Sequence, residues 1–307
     1  MTETNEPRLR HVACLDARGL HRMAYWDWGA RDSERVVVCV HGLSRQGRDF
    51  DTLARDLVAD GCRVVCPDVV GRGRSDWLPD PMGYAVPQYV ADMVALLARL
   101  DVEQVDWVGT SMGGLIGLGV ASLGFAAPGG AQPAGAERPL PLVRRLVLND
   151  VGPAIEPAAL ARIGTYLGQP AHWASVDEAA DALWSISQGF GPHTREQWLA
   201  LTRPQLVADG AGFKPHYDPA IAVPFRAYTP ELAAAGEAAL WAAYDRLTCP
   251  TLLLRGADSD LLSHATAQAM TQRGPRAKLV EFAGVGHAPM LGAADQRAAV
   301  REFLRAA

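Results

Sequence analysis

The sequence predicts an α/β protein: a mostly parallel central sheet flanked by helices, with a helical cap inserted late in the chain. Three observations carry this. Short continuous apolar runs, such as Val-Val-Val-Cys-Val at 36–40, recur along the chain, as they do in strands buried on both faces. They alternate with stretches of helical periodicity, as parallel strands joined by right-handed crossovers require. Residues 152–243 break the rhythm, with proline-interrupted helical patterns, Trp173, Trp184, Trp198 and Trp241, and no convincing buried strand.

Met1 to Arg10 is polar and charged, without the apolar stretch of a signal peptide. Leu20–Trp28 and Val36–Val40 read as strands, and His41-Gly42-Leu43 ends the second. A helix over Phe50–Ala59 leads to the strand Arg63–Cys66, which runs into Asp-Val-Val-Gly-Arg-Gly-Arg-Ser at 68–75. Tyr89–Leu100 is helical by period, Val105–Val108 is a strand, and the small and apolar residues Gly113–Leu123 form a buried helix. Phe125–Pro141, rich in alanine, proline and glycine, reads as a surface excursion. Leu142–Leu148, Thr251–Leu254 and Lys278–Phe282 are further strands, and Ala293–Leu304 is the last helix. The expected division is a core of residues 1–151 and 244–307 with a cap of residues 152–243.

Composition narrows the function. A chain of 307 residues with 49% hydrophobic and 21% charged residues suits one large globular domain or a core with an insert. A net charge of −5 offers no basic excess for phosphates, so nucleic acid is not an expected partner. No run reaches the length of a membrane span. The five cysteines, at 14, 39, 62, 66 and 249, are irregularly spaced, as expected of reduced core thiols in a cytoplasmic protein.

The chemistry centres on Gly-Thr-Ser-Met-Gly at 109–113, between a strand and a helix. A serine flanked by glycines at such a turn is a nucleophile elbow. The turn strains the serine backbone and leaves no room for flanking side chains, and it presents the hydroxyl at a helix N-terminus. A serine hydroxyl needs a base. His287, in Ala-Gly-Val-Gly-His-Ala-Pro at 283–289 after the last strand, is placed to reach over the sheet end. The acid is expected after Thr251–Leu254, where Asp258 and Asp260 both qualify and spacing does not separate them. A helix starting just after Asp260 favours that residue, with Asp258 orienting or solvating the turn. Gly71-x-Gly73 does not complete a dinucleotide fingerprint, because the sixth position is Asp76. It reads instead as a turn shaping the floor of the site.

Taken together, Val-His-Gly-Leu at 40–43, Asp-x-x-Gly-x-Gly-x-Ser at 68–75, Gly-Thr-Ser-Met-Gly and Gly-Val-Gly-His at 284–287 resemble the α/β-hydrolase superfamily over nearly the whole chain. The likeness is to its capped serine esterases, proline iminopeptidases and haloperoxidase-like members. The resemblance implies the α/β-hydrolase fold, a triad of Ser111, Asp260 and His287, and an oxyanion hole made by the Leu43 and Met112 amides. Relatives with an Arg-Gly-x-x-Ser-Asp segment, here 255–260, use its aspartate as the acid. His41 would support its loop by hydrogen bonding.

The expected activity is hydrolysis of a small to medium carboxylic ester through an acyl-enzyme. A small acyl molecule is the partner, no cofactor or metal is needed, and the rate falls below neutral pH as the base takes a proton. Carbon–carbon bond hydrolysis, lactone hydrolysis and perhydrolysis stay open within the class. A ligand receptor with little turnover is the reading from another class, and rapid multiple turnover of p-nitrophenyl esters would separate it. Arg45 and Arg48 either meet a substrate carboxylate or pair with Asp49 and Asp51.

Overall fold

A computed structural model describes residues 6–123, 141–227 and 229–306. Eight strands form one sheet in the order β1 (Arg8–Asp16), β2 (Gly19–Trp28), β4 (Arg63–Pro67), β3 (Val36–Val40), β5 (Val105–Thr110), β6 (Val143–Asn149), β9 (Thr251–Gly256) and β10 (Lys278–Phe282). The first two pairings, β1 with β2 and β2 with β4, are antiparallel, and all later ones are parallel. β1 begins at the end of the polar segment Met1–Arg10 and runs to Asp16, where the sequence reading placed no strand. Its inward positions are few, Val12 and Cys14 being buried while its neighbours alternate toward solvent.

The helices are α1 (Asp51–Ala59), α2 (Val86–Leu100), α3 (Met112–Ala121), α4 (Pro157–Tyr166), α5 (Val176–Ser185), α6 (Arg195–Thr202), α7 (Ala222–Arg226), α8 (Pro230–Asp245), α9 (His264–Gln272) and α10 (Ala294–Arg305). The period-2 alternation of each central strand divides the core into two layers. On β3, Val36, Val38 and Val40 join Trp107, Leu146 and Leu148 on the face covered by α2 and α3. Val37 and Cys39 join Val108, Val147, Leu252 and Leu254 on the face covered by α1 and α10. Both faces being buried explains why these strands read as unbroken apolar runs. The five cysteines are buried and unbridged.

The segment between β6 and β9 holds α4 to α8 and a two-stranded hairpin, β7 (Leu206–Asp209) with β8 (Gly212–Pro215). The hairpin's short, half-buried strands leave no apolar run to detect. α8 ends at Asp245 and anchors to the core through buried Tyr244, whose hydroxyl donates to the Met270 carbonyl at 2.6 Å. The expected boundary between 243 and 244 therefore falls inside a helix. The surface excursion expected at Phe125–Pro141 lies almost wholly outside the described residues, only Pro141 being described.

Because β3, β5, β6, β9 and β10 are parallel, their carboxyl ends share one edge of the sheet. That edge delivers His41, Ser111, Asp150 and the loops after 256 and 282 to one place, the usual location of a ligand site in such sheets.

Candidate active site

Ser111 sits between β5 and α3 with φ 52° and ψ −118°, a backbone conformation that costs an L-residue energy. Its surroundings enforce the turn. A Cβ on Gly113 would be driven into the carbonyl of Val40, and one on Gly109 into the Gly113 carbonyl. The Ser111 amide donates to the Asn149 carbonyl at 2.9 Å, which extends the β5–β6 ladder one residue past the sheet.

His287 comes from the loop after β10, and its Nε2 lies 3.0 Å from the Ser111 Oγ. The loop is tied at two points. The Asn149 side-chain amide donates to the Pro289 carbonyl at 2.7 Å, and the Gly286 amide donates to the Gly189 carbonyl at 2.7 Å.

The carboxylate that meets the second imidazole nitrogen is Asp150, with Oδ2 2.7 Å from His287 Nδ1. This corrects the sequence expectation. Asp260 points away, pairs with Arg162 of α4 at 2.6 and 2.9 Å, and is nearly half exposed, at 45%. Asp258 is exposed as well, and its amide donates to the Val285 carbonyl. α9 starts at His264 with Ser263 as its cap, so no helix begins just after Asp260. Asp150 is fully buried directly after β6, with φ 56°. It also accepts from the Gly256 amide at 2.9 Å and the Ser259 hydroxyl at 2.6 Å. The 255–260 segment thus serves the site through its serine and a glycine amide rather than its aspartate. A signal for Asp150 did exist: an acidic residue two positions beyond a buried apolar run, at the carboxyl end of the neighbouring strand.

The two amides expected to form an oxyanion hole are those of Leu43 and Met112. Met112 is the first residue of α3, whose leading amides have no partner inside the helix. Among the described residues neither its amide nor that of Leu43 donates to a main-chain acceptor. A Cβ on Gly42 would sit 3.7 Å from the Ser111 Cβ, so the Gly42–Leu43 peptide passes close to the hydroxyl. His41 holds this loop. Its ring is fully buried, with Nδ1 donating to the Gly42 carbonyl at 2.7 Å and Nε2 accepting from the Val69 amide at 2.9 Å. Burial pushes its pKa down to about 3, which keeps Nε2 free to accept.

A cavity of about 250 Å³ opens over Ser111 and His287, roofed by the segment between β6 and β9. Ile163, Tyr166, Trp173, Ile186, Phe190 and Met290 give it largely apolar walls. Arg45 reaches it already paired with Asp49, at 2.7 and 2.8 Å, while Gln205 donates to the same carboxylate at 3.0 Å. Arg48 pairs with Asp51 at 2.5 to 2.9 Å and stacks over Trp26. Both arginines are therefore neutralised by the neighbours named from the sequence.

Residues 37–302 match a family described as the alpha/beta hydrolase family. The chain is 51% identical over 305 residues to a 3-hydroxybutyrate-oligomer hydrolase of Cupriavidus necator, covering 98% of this chain and 99% of that one. A shorter stretch of 90 residues, 29% of this chain and 31% of the other, is 36% identical to a non-heme chloroperoxidase of Burkholderia pyrrocinia. Among solved structures, an alpha/beta hydrolase from Novosphingobium aromaticivorans is 35% identical and superposes with a TM-score of 0.80, covering 97% and 98% of the two chains.

Proposed function

Because the chain belongs to the alpha/beta hydrolase family, we propose that it is a serine hydrolase that cleaves short oligomeric esters of 3-hydroxybutyrate, with Ser111, His287 and Asp150 as its triad. The observation that carries the mechanism is the unbroken line Ser111 Oγ to His287 Nε2 at 3.0 Å and His287 Nδ1 to Asp150 Oδ2 at 2.7 Å. In this line Nδ1 carries the proton that Asp150 accepts, which leaves the Nε2 lone pair facing the hydroxyl. His287 takes the serine proton as Oγ adds to the ester carbonyl, and the Asp150 carboxylate steadies the imidazolium. The Leu43 and Met112 amides receive the oxyanion. Collapse of this intermediate breaks the bond to the 3-hydroxyl of the next unit, which leaves with the proton from His287. Water, activated by the same imidazole, then releases the acid.

The substrate class rests on the 51% identity to the Cupriavidus enzyme and on the cavity. At about 250 Å³ it lies just below the usual range of about 300–1,000 Å³ for ligand sites, which suits an acyl group of a few carbons. Residues 152–243 act in this reading as the cap that sets acyl size. The compartment we assign is the cytoplasm, whose reducing conditions match five buried, unbridged thiols. Among the described residues, no helix is long and apolar enough to cross a membrane.

The test is chromatography of 3-hydroxybutyrate dimer and trimer incubated with wild-type protein and with Ser111→Ala. Monomer should accumulate with the first and not the second. Turnover of p-nitrophenyl butyrate without monomer release would remove the substrate class and leave the mechanism, whereas turnover by Ser111→Ala would remove the mechanism.

A further inference from the structure

The Gly71-x-Gly73 turn encloses a residue that the triad leaves unexplained. Both glycines have positive φ, 84° and 53°, and a Cβ on either would collide, with the Tyr84 ring or the Asp68 carboxylate respectively. The turn so formed sends the side chain between them inward, and that side chain is Arg72, which has no exposed surface. A buried guanidinium is normally paired with a carboxylate, since an unpaired buried charge is costly. Among the described residues Arg72 has no such ion pair. Its Nε donates to the Leu43 carbonyl at 2.8 Å, and one terminal nitrogen donates to the Val70 carbonyl at 2.7 Å and the Tyr89 hydroxyl at 2.9 Å. The other terminal nitrogen lies 3.7 Å from the Met112 sulfur, and the Tyr84 and Tyr89 rings flank the cation at 5.7 and 5.1 Å.

Leu43 and Met112 are the two residues whose amides form the oxyanion hole in the reading above, and Arg72 touches both. We propose that Arg72 is a positioning residue for the oxyanion hole: it fixes the Leu43 and Met112 segments from behind and supplies an uncompensated positive charge to the negative oxygen that forms there. This rests on the proposed roles of Ser111 and its two amides. The argument is one of timing. A cation with no local carboxylate gains little from a neutral ester but gains when the carbonyl oxygen becomes an anion in a site of low dielectric. Acids on the packed elements are engaged elsewhere. Asp218 accepts from the Tyr84 hydroxyl at 2.6 Å, Asp92 faces His21 at 3.1 Å, and Asp68 accepts from the Gly47 and Arg74 amides. The charge is felt in this region already, because after burial the Arg72 guanidinium is among the influences holding His41 neutral.

The experiment compares wild type, Arg72→Gln and Arg72→Lys in two assays. One is steady-state hydrolysis of p-nitrophenyl butyrate. The other is inhibition by an alkyl trifluoromethyl ketone, whose carbonyl carbon accepts the serine oxygen so that the carbonyl oxygen becomes a true oxyanion in the hole. Deleting one oxyanion donor costs on the order of 10²–10³ in kcat; here both donors remain but lose their support. Arg72→Gln should therefore lower kcat by roughly 30-fold, leave KM within about threefold, and raise the ketone Ki in parallel with the kcat loss. Arg72→Lys, which keeps the charge, should recover most of both. A merely structural residue would lower the melting temperature without separating kcat from KM. An unchanged ketone Ki in folded Arg72→Gln overturns the proposal. Should that variant not fold, a Lys variant losing as much kcat as a full donor deletion overturns the part assigned to charge, and one near wild type in both assays supports it. Failure of the ketone to inhibit wild type would instead overturn the reading of Ser111 and its hole, and this inference with it.

Discussion

Replacing Asp150 by Asn tests the correction at the centre of the site. The Asp150 carboxylate accepts from three donors: Gly256 N–H, Ser259 O–H and His287 Nδ1–H. An amide has one acceptor oxygen, so its NH2 group must face at least one of them. If it faces His287, Nδ1 has to become the acceptor and the proton moves to Nε2, where it points at Ser111 and blocks the lone pair that should take the serine proton. Loss of the correct tautomer in a serine triad costs about 10⁴ in kcat. At about 1.36 kcal/mol per tenfold, that raises the barrier by roughly 5 kcal/mol. The lost charge-assisted bonds should also lower stability by about 1–3 kcal/mol. Asp260→Asn is the control. Its pair with Arg162 is 41% and 45% exposed, and such pairs contribute about 0–1 kcal/mol. Activity should stay within about twofold and unfolding should shift by less than about 1 kcal/mol. The assay is p-nitrophenyl butyrate hydrolysis with urea unfolding of each variant. A hundredfold loss in Asp260→Asn, or a loss below tenfold in folded Asp150→Asn, would show that the acid has been misassigned.

Two further outcomes are expected. His41 titrates near 3 in the fold against about 6.5 in the open chain, so its contribution is complete above pH 6.5 and is lost as pH falls toward 3. The full span of about 3.5 units corresponds to roughly 5 kcal/mol. His41→Gln should remove about one proton from the pH slope of stability in urea titrations at pH 4 and pH 7, and an unaltered slope would contradict a neutral, accepting imidazole. Gly113→Ala drives a methyl into the Val40 carbonyl and should destabilise by about 3 kcal/mol or more, whereas Gly164→Ala meets only Phe225 at 3.5 Å. That second change, inside α4, should be neutral or stabilise by up to about 1 kcal/mol. Equal melting temperatures for the two would refute the steric argument.

The sequence made visible what depends on local pattern. Val36–Val40, Val105–Val108 and Leu142–Leu148 could be read because burial on both faces leaves an unbroken apolar run. Ser111 and His287 could be read because turns of glycine impose themselves on any chain that carries them. β1 and the β7–β8 hairpin escaped because they bury too few side chains to mark their period. Asp150 escaped for a different reason. Both Asp150 and Asp260 follow a strand that ends at the right edge, and the choice depends on which carboxylate the Gly256 amide and Ser259 hydroxyl enclose. That is a contact between residues more than a hundred positions apart, and no local pattern encodes it. Arg72 was equally hidden, since an arginine in a glycine turn looks solvated until the turn's handedness is known.

Thr110 pairs with Asn149 across the sheet, so Ser111 and Asp150 leave adjacent strands at the same height. Their backbone spacing is therefore set by the ladder hydrogen bonds of the β-sheet. The loop after β10 carries His287 between them. It is clasped on the core side by Asn149 and on the opposite side by Gly189 of the insert. In the proposed triad the nucleophile and acid thus share one frame, the sheet, while the base rides on a strap that the core and the insert hold jointly.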